Sequence, residues 1–338
     1  MKQTAIVILN WNGKDLLKCF LPKLMEYTPL NEADIIVADN ASTDDSLAFL
    51  EKHYPDITIH SLKCNYGFAE GYNRVLQKLN HKYVVLLNSD VEVSKNWLQP
   101  AIDYLETYEE VAALQPKILS YNDKTSFEYA GASGGFLDIY GYPFCRGRIL
   151  GTIEKDLGQY DEPQLVFWAS GACLFIRLEE FKKAGGFDPI FFAHQEEIDL
   201  CWRFNVKGKK IVCLPQSYVY HVGAATLNKE NPEKTYLNFR NNLLMIYKNL
   251  PDYYYKKVMI VRFFTDYLAA LHLILQGKFK NAFSIYEARK DFHRLKAEYT
   301  IIRKANLKSS LIKLPETVLK KSILWQYYIK NKRKYSQL

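Results

Sequence analysis

Residues 83–93 read YVVLLNSDVEV. The segment begins as an unbroken apolar run, Val84 to Leu87, and stops at Asn88-Ser89-Asp90. A short apolar run bounded by turn-forming residues predicts a strand buried on both faces. Strands of that kind belong to parallel sheets covered by helices, whose ligands sit beyond the carboxyl ends of the strands. A carboxylate at such an end has a use if a divalent cation binds there. It can equally close an Asx turn or cap a helix.

The neighbouring segments repeat the pattern. TAIVILNW (4–11) is a β-branched run ending in a polar Asn-Gly turn, and ADIIVADN (33–40) is a second buried strand ending in Asp39-Asn40. DITIHSL (56–62) and VAALQPKIL (111–119) add two more strands. Between them, residues 14–27, 42–54, 68–80 and 96–110 carry apolar side chains at helical spacing. This alternation predicts an α/β fold. Asn10, Asn12, Asp39, Asn40, Asn88 and Asp90 gather at the strand ends, where a site belongs.

Residues 120–165 are rich in Gly and Tyr and are expected to be a long irregular segment. LVFWASGACLFIR (165–177) carries strand and turn signals, LEEFKKAG (178–185) is helical, and residues 186–208 place an acidic cluster at a helix start. KIVCLPQSYVYHVG (210–223) is a strand and turn carrying His221. From Pro232 the spacing is helical throughout. VMIVRFFTDYLAALHLIL (258–275) is interrupted by Arg262, Asp266 and His272, which predicts an amphipathic, interfacial helix rather than a bilayer span.

The 338 residues, 48% hydrophobic and 24% charged, allow one large or two modest globular domains. Six scattered cysteines without a CxxC pair exclude a zinc ribbon and fit reduced, mostly buried thiols. The opening residues lack a secretory signal pattern, so a cytoplasmic protein is expected. The formal charge of +8 is uneven: residues 251–338 hold 19 Lys and Arg against 6 Asp and Glu, leaving the first 250 residues net acidic. Such a tail calls for an acidic partner. The basic residues lie outside the motif-bearing half, without an RNA-binding signature, so an anionic membrane surface is expected and nucleic acid is not.

VILNWNGKD, IIVADNASTDDS, NYGFAEGYNR, LLNSDVEV, WASGACLFIR, GGFDPIFFAHQEEIDLCWR and YHVGAAT follow one another in this order. Over roughly residues 4–250 this set resembles the family 2 glycosyltransferases of the GT-A fold, in their rhamnosyltransferase-like branch. The resemblance implies a mixed, mainly parallel sheet flanked by helices. It implies a catalytic domain over 1–231, with a nucleotide-binding half (1–120) and an acceptor half (121–231), followed by a basic helical region over 232–338 that associates with membrane.

For the residues, it implies that Asn10, Asn12 and Asp39 hold the base and ribose of a nucleoside-diphosphate sugar. Asn65, Gly67, Phe68 and Asn73 lie near the nucleotide and its phosphates, beside Asn88 and Ser89. Asp90, the one acid of the third-strand motif, coordinates Mn²⁺ or Mg²⁺ together with His221. Imidazole favours Mn²⁺. Glu197 is the base, with Glu196 positioning the acceptor; the family more often has Glu-Asp there. Trp168 and Gly171 line the acceptor side, and Asp188 orients the acceptor or caps a turn. The implied activity is inverting transfer of a sugar, from dTDP-rhamnose or a UDP-hexose, to a glycan or lipid-linked acceptor of cell-surface polysaccharide. The enzyme would work at the inner face of the cell membrane.

Two other classes share parts of this pattern. A sugar-phosphate nucleotidyltransferase also uses an α/β nucleotide site with carboxylate-held metal, but the chain lacks a Gly-rich, basic N-terminal activating loop. A non-catalytic sugar- or nucleotide-binding protein is suggested by the basic tail, but that charge sits outside the motif-bearing half.

Overall fold

The computed structural model describes residues 2–29, 31–223 and 231–338. The strand that opened the sequence reading is β4 (Tyr83–Asn88), after β1 (Thr4–Asn10), β2 (Ala33–Asp39) and β3 (Thr58–Ser61). The order β4-β1-β2-β3 is parallel throughout, and its register places Asn10 beside Asp39 and Asn88 beside Leu9. The polar tips therefore end on one edge. β5 (Val91–Val93), β6 (Val111–Ser120), β7 (Cys173–Arg177) and β8 (Lys210–His221) extend the sheet, and the two-residue strand Gln164–Leu165 pairs antiparallel with β8 at its edge. β7 runs antiparallel between β4 and β6, and β8 pairs parallel with β6 and antiparallel with β5. The sheet is mixed, as expected.

Burial on both faces explains the apolar runs. Ala5 and Val7 face one core layer, Ile6 and Ile8 the other, and Val84/Leu86 and Val85/Leu87 divide in the same way. α1 (Lys14–Tyr27) and α4 (Gln99–Thr107) cover one face. α3 (Gly67–Leu76) and α6 (Glu196–Val206) cover the other; α2 (Ser46–His53) and α5 (Leu178–Lys183) lie between them in sequence.

Two expectations change. Residues 120–165 are not merely irregular: Gly135–Asp138, Pro143–Cys145, Arg148–Ile149 and Thr152–Ile153 form a small antiparallel sheet. Strands of two to four residues carry too little periodicity to be read. The helical spacing after Pro232 holds through α7 (Pro232–Asn249), α8 (Asp252–Leu275), α9 (Phe279–Leu295) and α10 (Tyr299–Ser309). Beyond α10 the chain returns to the small sheet. Val318–Leu319 pairs with Leu137–Asp138, the Ile323 N–H donates to Asp138 at 2.9 Å, and Tyr335 packs on Phe136.

α7 joins the two regions through polar side chains that are buried. Asn242 donates to Gln195 Oε1 at 3.0 Å, and its own carbonyl accepts from Arg262 of α8. Lys248 bridges Asp188 (2.7 Å) and Asp199 (3.0 Å), and Asp199 also accepts from Arg203 (3.0 Å) and Asn249 (2.8 Å). Asp199 is fully buried, and Asp199→Ala would take the carboxylate from Arg203 and leave Lys248 with Asp188 alone. We expect it to cost about 3–5 kcal/mol, read from the urea unfolding midpoint of the purified protein.

Candidate active site

At the strand tips, the Asn10 amide donates to Asp39 Oδ1 at 3.1 Å, and Asp39 Oδ2 accepts the Ser42 N–H at 3.0 Å. Asn10 Oδ1 is buried with no hydrogen-bond partner among the described residues. A Cβ on Gly13 would meet that oxygen at 2.4 Å, so glycine is required beside it. Asn12 adopts φ +51° and accepts the Thr43 N–H at 2.6 Å, which ties the β1 tip to the loop after β2. Asn40 extends the network: its amide donates to Asn65 Oδ1 at 2.9 Å, and its carbonyl accepts from Tyr66 N at 3.0 Å.

The start of α3 is used differently from the expectation. Gly67 has φ +72°, and its missing side chain makes room for the Phe192 ring, whose Cδ2 lies 2.4 Å from a hypothetical Cβ. The Phe68 and Ala69 N–H groups both donate to the Phe192 carbonyl, at 2.6 and 3.0 Å. The glycine therefore serves a protein contact, and these helix-start donors are taken. Asn73 spends its side chain on the Phe187 backbone, donating at 2.9 Å and accepting at 2.9 Å. It is a brace between α3 and the loop before α6. Gly171 is buried, with the Phe68 ring 3.0 Å from a hypothetical Cβ. Asn88, half-buried, donates its N–H to Ala172 at 3.0 Å; Ser89 beside it is also half-buried. These contacts draw the β2 and β4 tips, the start of α3, the 171–172 turn and the loop before α6 into one region.

One acceptor-side expectation is corrected, and for Asp188 the turn-capping alternative holds. Trp168 is buried, donates its indole N–H to the Phe136 carbonyl at 3.0 Å and covers Gly135 with its ring. Its ring face is spent on the core. Asp188 caps the 3₁₀ turn Pro189–Phe191 and accepts from Lys248 and the Tyr299 hydroxyl (3.0 Å). With these partners it orients protein, not acceptor.

Asp90 and His221 stand together at the end of β8, with Nε2 to Oδ1 3.1 Å. The other ring nitrogen, Nδ1, lies 3.3 Å from Glu128 Oε2, close enough for an ion pair but poorly aligned for a hydrogen bond. Burial alone would lower the imidazole pKa; the bonds to Asp90 and Glu128 outweigh it and push it up to about 10. Glu128 was not legible in the sequence. It sits in the segment read as irregular, 93 positions from His221, with no motif around it. An Asp oxygen and an imidazole nitrogen suit Mn²⁺, and a carboxylate behind a ligating imidazole is the usual way its ring is oriented. The side chains present therefore fit a divalent cation. Among the described residues no three such groups form a closed cage. The last residues of the YHVGAAT motif, 224–226, lie outside the described residues.

Glu196 and Glu197 open α6 after a strained approach. Phe192, His194 and Gln195 have φ of +61°, +70° and +75°, and Asn241 of α7 holds the turn by donating to the Phe191, Ala193 and His194 carbonyls at 2.8–2.9 Å. Backbone strain of this kind, about 1–3 kcal/mol per residue, persists where surrounding contacts over-determine it, as at catalytic sites. Each glutamate leaves Oε2 buried without a partner among the described residues. Burial raises the Glu197 carboxyl to about 7. Burial, then the neighbouring Glu197, raises the Glu196 carboxyl well above its ordinary range as well. The pair can hold one ionised base beside one protonated acid. A surface cleft of about 770 Å³, lined by Lys2, Asp34 and Glu106 among others, lies at the opposite ends of the strands and includes none of these residues.

The sheet order and the placement of the tips are those of the GT-A fold. Consistent with this, the solved structure of GalNAc-T7 with UDP, GalNAc and Mn²⁺ superposes with a TM-score of 0.62 at 16% identity, over 98% of this chain and 57% of that one. The family model described as glycosyl transferase family 2 matches residues 5–175, just over half the chain, and the protein belongs to that family. Among curated relatives, the N-acetylglucosaminyl-diphospho-decaprenol L-rhamnosyltransferase of Mycobacterium tuberculosis (strain H37Rv) is 25% identical over 243 residues, covering 67% of this chain and 78% of that protein. Rhamnosyltransferase WbbL of Escherichia coli K12 is 27% identical over 229 residues, covering 64% and 82%.

Proposed function

We propose that this chain is a metal-dependent inverting glycosyltransferase acting at the cytoplasmic face of the membrane. It moves a sugar from dTDP-rhamnose or a UDP-hexose to a lipid-linked saccharide during cell-surface polysaccharide assembly. The observation that carries the reading is the buried acid pair at the start of α6, with Glu197 raised to about 7 and one of its oxygens free. The named activities of the mycobacterial and E. coli relatives support the sugar and acceptor classes.

In this reading Asn10, Asn12 and Asp39 receive the base and ribose at the strand tips, with Asn65 and Asn88 beside them. Asp90 and His221 hold Mn²⁺ or Mg²⁺, which when bound neutralises charge on the departing diphosphate. The acceptor hydroxyl is deprotonated by Glu197 as its oxygen attacks the anomeric carbon. The new glycosidic bond forms on the face opposite the breaking bond to the diphosphate, so the configuration inverts. Glu196, held protonated, donates a hydrogen bond to the acceptor.

The test is transfer by the purified protein with Mn²⁺, dTDP-rhamnose, UDP-glucose or UDP-N-acetylglucosamine, and a polyprenyl-diphosphate saccharide. Product of inverted linkage with one donor is expected. Pyrophosphate release from a nucleoside triphosphate and a sugar phosphate, without transfer, would instead make it a nucleotidyltransferase.

A further inference from the structure

α8 is amphipathic the wrong way round for a helix of a soluble protein. Between Val258 and Leu275 its two charged residues face inward: Arg262 and Asp266 are buried and paired at 3.0 Å, and Arg289 of α9 reaches Asp266 at 2.6 Å. Arg262 further donates to the Tyr140 carbonyl at 3.3 Å. Its large apolar residues face outward. Ile260, Phe263, Phe264, Leu268, Leu271 and Leu275 are 48–78% exposed, at the i, i+3, i+4 spacing of one stripe. On the adjoining α9, Phe279, Phe283 and Tyr286 are 51–66% exposed. The stripe from Ile260 to Leu275 runs roughly 22 Å at helical rise. Patches of this extent mark interaction surfaces.

The charge around the patch selects its partner. Lys256 and Lys257 precede the stripe, and Lys280 and Lys290 flank it on α9; all four are exposed. They belong to the region 251–338, with its 19 basic and 6 acidic residues. A second copy would bring the same excess of positive charge against itself, which opposes pairing. An anionic lipid surface satisfies both features, accepting the aromatic and aliphatic side chains at the acyl boundary and the lysines at the headgroups. The buried Arg262–Asp266–Arg289 network keeps one side of α8 packed on protein, so lipid cannot surround it.

From this inverted arrangement we infer that the outer faces of α8 and α9 form a membrane-docking surface, seated in the plane of an anionic leaflet. The inference deepens the reading of a lipid-linked acceptor but does not need it. Its test uses the full chain, without donor or acceptor, in flotation with phosphatidylcholine vesicles with or without phosphatidylglycerol. Binding is expected to the anionic vesicles, weakening with salt. Phe264→Glu with Leu268→Glu should reduce it at least about tenfold. Both positions are exposed, so the melting temperature and Mn²⁺-dependent hydrolysis of the nucleotide sugar in solution should stay unchanged.

No binding to anionic vesicles, or binding untouched by the paired substitution, overturns the surface. So does a wild-type dimer in light scattering that the same pair dissolves, because the stripe would then meet a second copy. Catalytic failure shows separately: an enzyme that floats with vesicles but transfers nothing refutes the proposed reaction and leaves the docking surface standing.

Discussion

Glu197→Gln is expected to lower kcat for sugar transfer by about 10²–10⁴, with little change in binding of the nucleotide sugar. Gln keeps the size and the hydrogen-bonding ends of the side chain but cannot take a proton. Glu196→Gln, which keeps the neutral character that burial gives Glu196, should act mainly on the KM for the acceptor. The wild-type pH profile checks the same assignment. Burial raises Glu197 to about 7, and the base must be ionised. Transfer should therefore fall about tenfold per unit as pH drops below about 7 and level off above it. The stability linkage runs the other way. Below its ordinary range near 4.5 the carboxyl is protonated in both folded and unfolded states. As pH rises through about 7 the folded protein must hold a buried carboxylate, and stability is lost. Glu197→Gln should escape that loss, so chemical denaturation at pH 8 should find the inactive variant more stable than wild type. A variant that keeps full transfer removes Glu197 from the role of base.

Asp90→Asn is expected to abolish metal-supported transfer, on the order of 10³ in kcat, since polarisation by a bound cation contributes several kcal/mol. Mn²⁺ binding followed by calorimetry or electron paramagnetic resonance, beside a melting curve of the variant, separates this from loss of folding, since Asp90 is buried against His221. Glu128→Gln, behind the imidazole, should weaken Mn²⁺ by about 10–100-fold, while leaving the Asp90 carboxylate in place. The imidazole, hydrogen-bonded to Asp90 and facing Glu128, carries a proton that a metal ligand must give up. Binding should accordingly release a proton, measurable as a dependence of the calorimetric heat on the buffer's ionisation enthalpy. Equal Mn²⁺ affinity in wild type and Asp90→Asn would take the metal away from this pair.

What could be read in the sequence was whatever repeats over short range. The parallel strands were visible because burial on both faces writes a continuous apolar run, and their tips because Asn and Asp interrupt it at Asn10, Asp39 and Asp90. The acid pair was visible as acids at a helix start. The partner of His221 was not, since Glu128 reaches it from a segment without periodicity. Nor were the tasks of Trp168 and Asn73. A tryptophan in a glycine-rich turn looks the same whether its ring faces a sugar or Gly135, and only the contacts of Trp168 with Phe136 decide it. The direction in which α8 faces was also hidden. Its stripe was legible, but which side the domain takes depends on Arg289, Tyr140 and Asn242, brought there by the fold.

The two-sided grip of Asn242 gives the enzyme a ruler. With its carbonyl on Arg262 of the lipid-facing helix and its amide on Gln195, the residue before the acid pair, α7 is a spacer of fixed thickness. Docked on a leaflet, the protein holds its reaction centre at one height.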